Sequence, residues 1–222
     1  MNLFVVTIIV ASCSMIYELV LAQCMSILYG ASTIRFSLTI GLFLFSLGMG
    51  TLAYERVSRR FAKDDFFIYL EIVLSCFGSS APILIMYTSS FKLGQMDIGF
   101  YIAHFWIIVI GVLTGMEIPS LLDKGEVLKK VNNQTFVILA LDFLGTFLGV
   151  GIFLFLLYPK LGIFHATFFT ALANLLAAFM LWRLNSHRKI FHFIAILCVS
   201  AAIIAAIVLE SDITRLLTER VF

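Results

Sequence analysis

Residues 135–158 read TFVILALDFLGTFLGVGIFLFLLY, twenty-four residues carrying one charge, Asp142. As an α-helix this stretch is about 36 Å long, more than the roughly 30 Å of a bilayer's hydrocarbon core. Its apolar residues do not alternate with polar ones, which excludes a barrel strand with a wet inner face. A backbone in hydrocarbon must satisfy its own hydrogen bonds, so the stretch predicts a transmembrane helix.

Six further segments answer the same description, at about 3–29, 36–54, 66–88, 98–119, 161–182 and 190–209. The expected fold is therefore an all-α integral membrane protein, a bundle of seven transmembrane helices over residues 1–209. Residues 210–222 follow as a short tail in which Ile213, Leu216, Leu217 and Val221 fall near helical spacing. That tail reads either as an amphipathic helix on the membrane surface or as a solvated end.

Composition agrees. Of 222 residues, 62% are hydrophobic and only 13% charged, against about 25% charged in an ordinary globular chain. The mean hydropathy is +1.08. A formal charge of +2 is too small for a nucleic-acid footprint, and the apolar fraction excludes a disordered chain.

The basic residues set an expected orientation. One set of loops holds Arg56, Arg59, Arg60, Lys63, Lys124, Lys129, Lys130, Arg183, Arg188 and Lys189, whereas the opposite loops hold Arg35, Lys92 and Lys160. This predicts a multi-pass protein of a plasma membrane, a bacterial inner membrane, with a cytoplasmic N-terminus and the C-terminus outside. The first run has no basic residue before it and carries Glu18, and Gln23 stands where a lipoprotein cleavage site needs a small residue. It is expected as a mature first helix. Cys13, Cys24, Cys76 and Cys198 all lie inside apolar runs without C-x-x-C pairing and are expected as buried free thiols.

Ionisable residues inside a membrane are costly and face protein or a cavity. Glu18 falls near the middle of the first helix, Asp142 about 10 Å into the fifth, and Glu117 at the cytoplasmic end of the fourth. Asp142, Gly145 and Gly149 share one helix face, and Gly145–Gly149 and Gly111–Gly115 are both Gly-x-x-x-G pairs that let another backbone approach. Thr7, Ala11, Ser14, Glu18 and Ala22 form a small and polar stripe on helix one, as do Thr167, Thr170, Ala171, Asn174 and Ala178 on helix six. The acids read either as packing elements held by hydrogen bonds or, if they converge, as a cavity attracting a cation: a proton, a metal ion or an organic amine. The candidate ligand-binding residues are Glu18, Glu117, Asp142 and Asn174. Arg35 reads as an interface anchor.

Other patterns carry little. His104, His165, His187 and His192 lack metal or haem spacing, and His187 and His192 are expected at the interface. Asn133-Gln134-Thr135 matches a glycosylation pattern but falls in a loop assigned to the cytoplasm. The Gly-x-Gly pairs follow no strand, so they are packing glycines. Leu47-Gly48-Met49-Gly50 echoes Leu148-Gly149-Val150-Gly151, a short match of the kind that coincidence supplies more often than an inverted repeat. No catalytic residue, cofactor or metal site is expected.

Taken together, Ser14-Met15-Ile16-Tyr17-Glu18-Leu19-Val20, Tyr29-Gly30, Gly41-Leu42-Phe43-Leu44 and Leu47-Gly48-Met49-Gly50 resemble the opening of the membrane region of spermidine synthase-like (polyamine aminopropyltransferase-like) membrane proteins. Gly115-Met116-Glu117-Ile118-Pro119, the Asp142-x-x-Gly145 helix and Pro159-Lys160-Leu161-Gly162 with Asn174 extend the resemblance over nearly the whole chain. In that family a soluble aminopropyltransferase domain follows the helices. The resemblance implies that this chain carries the membrane region without the catalytic domain, so transferase activity is not expected of it.

The expected function is thus a non-catalytic membrane subunit whose acidic intramembrane cavity binds a cationic ligand such as a polyamine. A proton- or ion-coupled transporter for a small solute and a membrane anchor or scaffold for a cytosolic enzyme are the alternatives. The expected partners are the lipid bilayer, a small cationic ligand and a cytosolic aminopropyltransferase-like protein, without nucleic acid. A homo-oligomer could form through the Gly-x-x-x-G faces.

Overall fold

The computed structural model describes residues 2–30, 32–61, 63–93, 96–127, 134–184 and 189–209. The described residues are helical almost throughout: α1 (Asn2–Tyr29), α2 (Thr33–Ser58), α3 (Lys63–Thr88), α4 (Ile98–Gly115), α5 (Glu117–Val127), α6 (Gln134–Ile152), α7 (Tyr158–Leu184) and α8 (Ile190–Val208). Between α3 and α4, two-residue strands β1 (Lys92–Leu93) and β2 (Met96–Asp97) pair antiparallel. Asp97 then caps α4, its carboxylate accepting from the Phe100 N–H at 3.2 Å. The tail 210–222, His187 and Asn133 of the glycosylation pattern lie outside the described residues.

Among the described residues, six helical runs are long and apolar enough to cross a membrane. Helix α1 is the axis, with 61% of its apolar span buried against 17% for α8. Two glycines bring α6 onto it. A Cβ at Gly145 would sit 2.6 Å from the Ile8 carbonyl oxygen, and one at Gly149 the same distance from that of Ser12. The Ser12 hydroxyl crosses this seam and donates to the Gly145 carbonyl at 2.8 Å. Gly111 and Gly115 seat α4 on α2 in the same way, against Phe43, Ser46 and Leu47. Both Gly-x-x-x-G faces are therefore occupied within the chain, and a contact between copies would need another surface.

The fifth run, Thr135–Leu184, is 50 residues long and doubles back. Phe153–Leu157 widens into a π-helical turn just before Pro159, which has no N–H to give to the preceding turn. At Gly162 the backbone takes φ 76°, ψ −178°, outside any helix. The contacts along α1 give the two directions. Residues of the first arm climb α1, from Gly145 beside Ser12 to Tyr158, whose hydroxyl accepts from Gln23 at 2.7 Å. The second arm descends, from Thr170, whose carbonyl faces the Cys13 thiol, to Ala177 and Leu181 packed with Leu3 and Val6.

The helix expected over 98–119 is divided. Helix α4 stops at Gly115, and Glu117 opens a new helix, α5. Pro119 is the cause, since its ring cannot donate to the carbonyl four residues back, that of Gly115. The Thr51 hydroxyl takes up that carbonyl instead, at 2.9 Å. The cysteines also differ from expectation. Cys13 and Cys24 are buried, but Cys76 and Cys198 are exposed, because they fall on the outward faces of α3 and α8.

Candidate binding cavity

Helices α2 and α6 both pack on α1 and scarcely touch each other. The gap between them is a cavity of about 440 Å³, within the usual range for small-molecule sites. Its floor is α1, its end is the α4–α5 break, and its side walls are apolar, with Phe43, Leu44 and Leu47 on α2 and Phe143 on α6.

Three carboxylates from three helices line it: Glu18 on α1, Glu117 at the first position of α5 and Asp142 on α6. Glu18 and Glu117 are buried and Asp142 is half-buried. The helix break puts Glu117 where it is. Because α5 starts at this residue, its carboxylate lies at a helix N-terminus, whose free N–H groups favour negative charge. The Ser14 hydroxyl donates to it at 2.5 Å. The other oxygen, Oε1, has no hydrogen-bond partner among the described residues. No lysine or arginine is buried among the described residues, so no buried basic side chain there balances these acids.

Asn174, the fourth expected site residue, does not line the cavity. It lies on α7, fully buried, with both carboxamide atoms unpartnered. At its level on the neighbouring α3 is an acid that reading the sequence missed, Glu71, which is 0% exposed and has both oxygens unpartnered. The register follows from the Ser75 hydroxyl, which donates to the Ala171 carbonyl at 3.1 Å. Glu71 is one turn before Ser75, Asn174 one turn after Ala171, and the helices run antiparallel. Glu71 and Asp142 both interact electrostatically with Glu117, and Glu71 also with Cys13. The signal for Glu71 was present: Glu71, Ser75 and Gly78 fall at i, i+4 and i+7, a small and polar face like those on α1 and α7.

A second polar cluster lies at the start of α3. Asp65 is buried and accepts from the Lys189 ammonium, with His192 Nδ1 3.9 Å from its other oxygen. The hydrogen bond to Asp65 and its negative charge hold the Lys189 ammonium above the usual lysine range. His192, expected at the interface, is wholly buried, with its ring edge-on to Tyr69. His104 bonds its own helix at the Phe100 carbonyl. Arg35 is exposed at the start of α2, away from the cavity lining.

These features define a class, an all-helical bundle of long apolar helices built around an acid-lined cavity. Comparison with known proteins narrows it. The chain is 30% identical over 188 residues to a polyamine aminopropyltransferase of Oceanobacillus iheyensis, covering 84% of this chain and 36% of that protein. It is 31% identical over 177 residues to the polyamine aminopropyltransferase of Leptospira interrogans, covering 78% and 33%. With that of Mycobacterium tuberculosis it shares 28% over 211 residues, covering 90% and 40%. The chain is thus related to proteins of the spermidine synthase-like kind, and spans about a third of the length of the first of these relatives. No family model matches the chain, and no solved structure matches it.

Proposed function

We propose that this chain is the membrane part of a polyamine aminopropyltransferase-like system, and that its acid-lined cavity binds an organic cation, a polyamine. The observation that carries the reading is the meeting of Glu18, Glu117 and Asp142 in one cavity from three separate helices. A flexible polyammonium needs several spaced carboxylates, because one buried acid does not offset the desolvation of a second charge. The relatives' name supplies the choice of amine. The role given to these residues is binding, as a non-catalytic membrane subunit, with a cytosolic aminopropyltransferase-like protein as the partner to which the amine is passed.

In this reading the long helices span a bilayer. The run Thr135–Leu184 is two crossings, since 50 residues make about 75 Å of helix and the chain doubles back at Gly162. The total is then seven, with the N-terminus cytoplasmic and the C-terminus outside, in a bacterial inner membrane.

Thermal unfolding of the purified protein with putrescine or spermidine tests the amine site. Ligand at about 100 times its dissociation constant adds roughly 2.7 kcal/mol. The expected result is a rise in Tm that Glu18→Gln and Asp142→Asn each weaken. No rise at millimolar amine, or one that both variants keep, overturns the reading and favours a scaffold acting through its basic loops.

One observation favours ion-coupled transport as a second reading. Transporter sites often sit where a helix is interrupted at membrane depth, and Glu117 follows such an interruption. Amine flux into proteoliposomes driven by an ion gradient separates transport from delivery to a partner.

A further inference from the structure

Behind the cavity, Glu71 and Asn174 face a problem that the bundle does not solve. Both are fully buried, and neither has a hydrogen bond at any side-chain oxygen or nitrogen among the described residues. Glu117, 2% exposed, has its Oε2 on Ser14 and its Oε1 unpartnered. The register of α3 on α7 sets Glu71 and Asn174 at one level. That level meets α1 near Cys13, whose thiol faces the Thr170 carbonyl at 3.6 Å, one turn from Asn174. Ser14, the next residue of α1, brings Glu117 to the same place.

We propose that Glu71, Glu117 and Asn174 form a binding site for one small monovalent cation of the sodium type, adjoining the amine cavity at Glu117. Glu71 and Glu117, buried in an interior without buried Lys or Arg among the described residues, can both be ionised only with a positive charge beside them. The free atoms are hard oxygens, three from carboxylates and one from a carboxamide, which suit an alkali cation rather than a soft metal. No group of three His, Cys, Asp or Glu residues able to hold a metal gathers among the described residues, which disfavours a divalent transition metal. The Cys13 thiol is engaged with the Thr170 carbonyl.

Glu117 borders both sites, whereas Glu18 and Asp142 belong to the cavity alone, and this separates the tests. Binding of 22Na+ to the purified full chain, and its melting in sodium, potassium or N-methylglucamine chloride at equal ionic strength, are the measurements. The expected results are saturable binding of one Na+ per chain and a Tm that rises with Na+ above either other salt. Glu71→Gln and Asn174→Ala should lose both, while Glu18→Gln and Asp142→Asn keep both and weaken only the amine response. Absence of 22Na+ binding to the unaltered protein overturns the proposal even if a variant fails to fold. So does a Na+ response that Glu71→Gln and Asn174→Ala retain, and either result leaves the amine reading standing.

Discussion

Asp65 and Glu71 lie on α3, six residues apart and both buried, and the bundle treats them in opposite ways. Asp65, 4% exposed, has a lysine reaching across from the start of α8 and a histidine ring beside it. Glu71, 0% exposed, is given neither, nor a hydrogen bond to either carboxylate oxygen among the described residues. An acid matched by its own chain is part of the scaffold that holds α8 on α3. An acid left unmatched in a place this dry is a demand on something outside the chain.

The largest effect expected from this contrast comes from reversing charge at each position. Asp65→Lys sets two ammonium groups against each other beside His192 and should abolish folded, monodisperse protein in size-exclusion chromatography. Glu71→Lys supplies the missing charge in place and should leave the elution peak intact while removing the Na+ response. Equal behaviour of the two would erase the distinction.

Glu71→Gln sharpens it further. Removing an uncompensated buried charge should raise stability in sodium-free buffer by about 1 kcal/mol or more, read as an increase in Tm. A fall would make Glu71 a structural acid like Asp65. Thr51→Val is the counterpart on the matched side. It strips the hydroxyl from the Gly115 carbonyl and should cost about 1 kcal/mol in the same assay.

The smallest effect concerns pH. The Lys189 ammonium is held above its usual range by Asp65, so the pair stabilises the fold while pH stays below the ordinary lysine value of about 10.4. Its contribution disappears as pH climbs through the raised folded value. The difference in Tm between the unaltered protein and Lys189→Met should be constant from pH 7 to about 9 and should shrink above about 10.5.

The helices were legible because hydrophobic length is a local property, and the small and polar stripes on α1 and α7 were legible because period 3.6 reveals a face. The break before Glu117 was written in Pro119 but was read one turn late, since a proline acts on the carbonyl four residues behind it. Glu71 was overlooked because its place near the start of an apolar run resembles that of an interfacial acid. Only the packing of α7 across α3 encloses it. Asn174 was rightly placed in the interior, yet spacing alone could not separate the cavity lining from the layer behind α1.

The position of α1 has a consequence for how the protein is made. Two of the cross-helix partners of α1 lie far along the chain: Ser12 bonds to Gly145, 133 residues later, and Cys13 to Thr170, 157 residues later. A ribosome adding roughly 5–20 residues per second leaves α1 on the order of 10 s without either neighbour. Throughout that interval the Ser12 hydroxyl has only the Ile8 carbonyl of its own helix to bond, so completion of this side of the core waits for the arrival of the Gly162 hairpin.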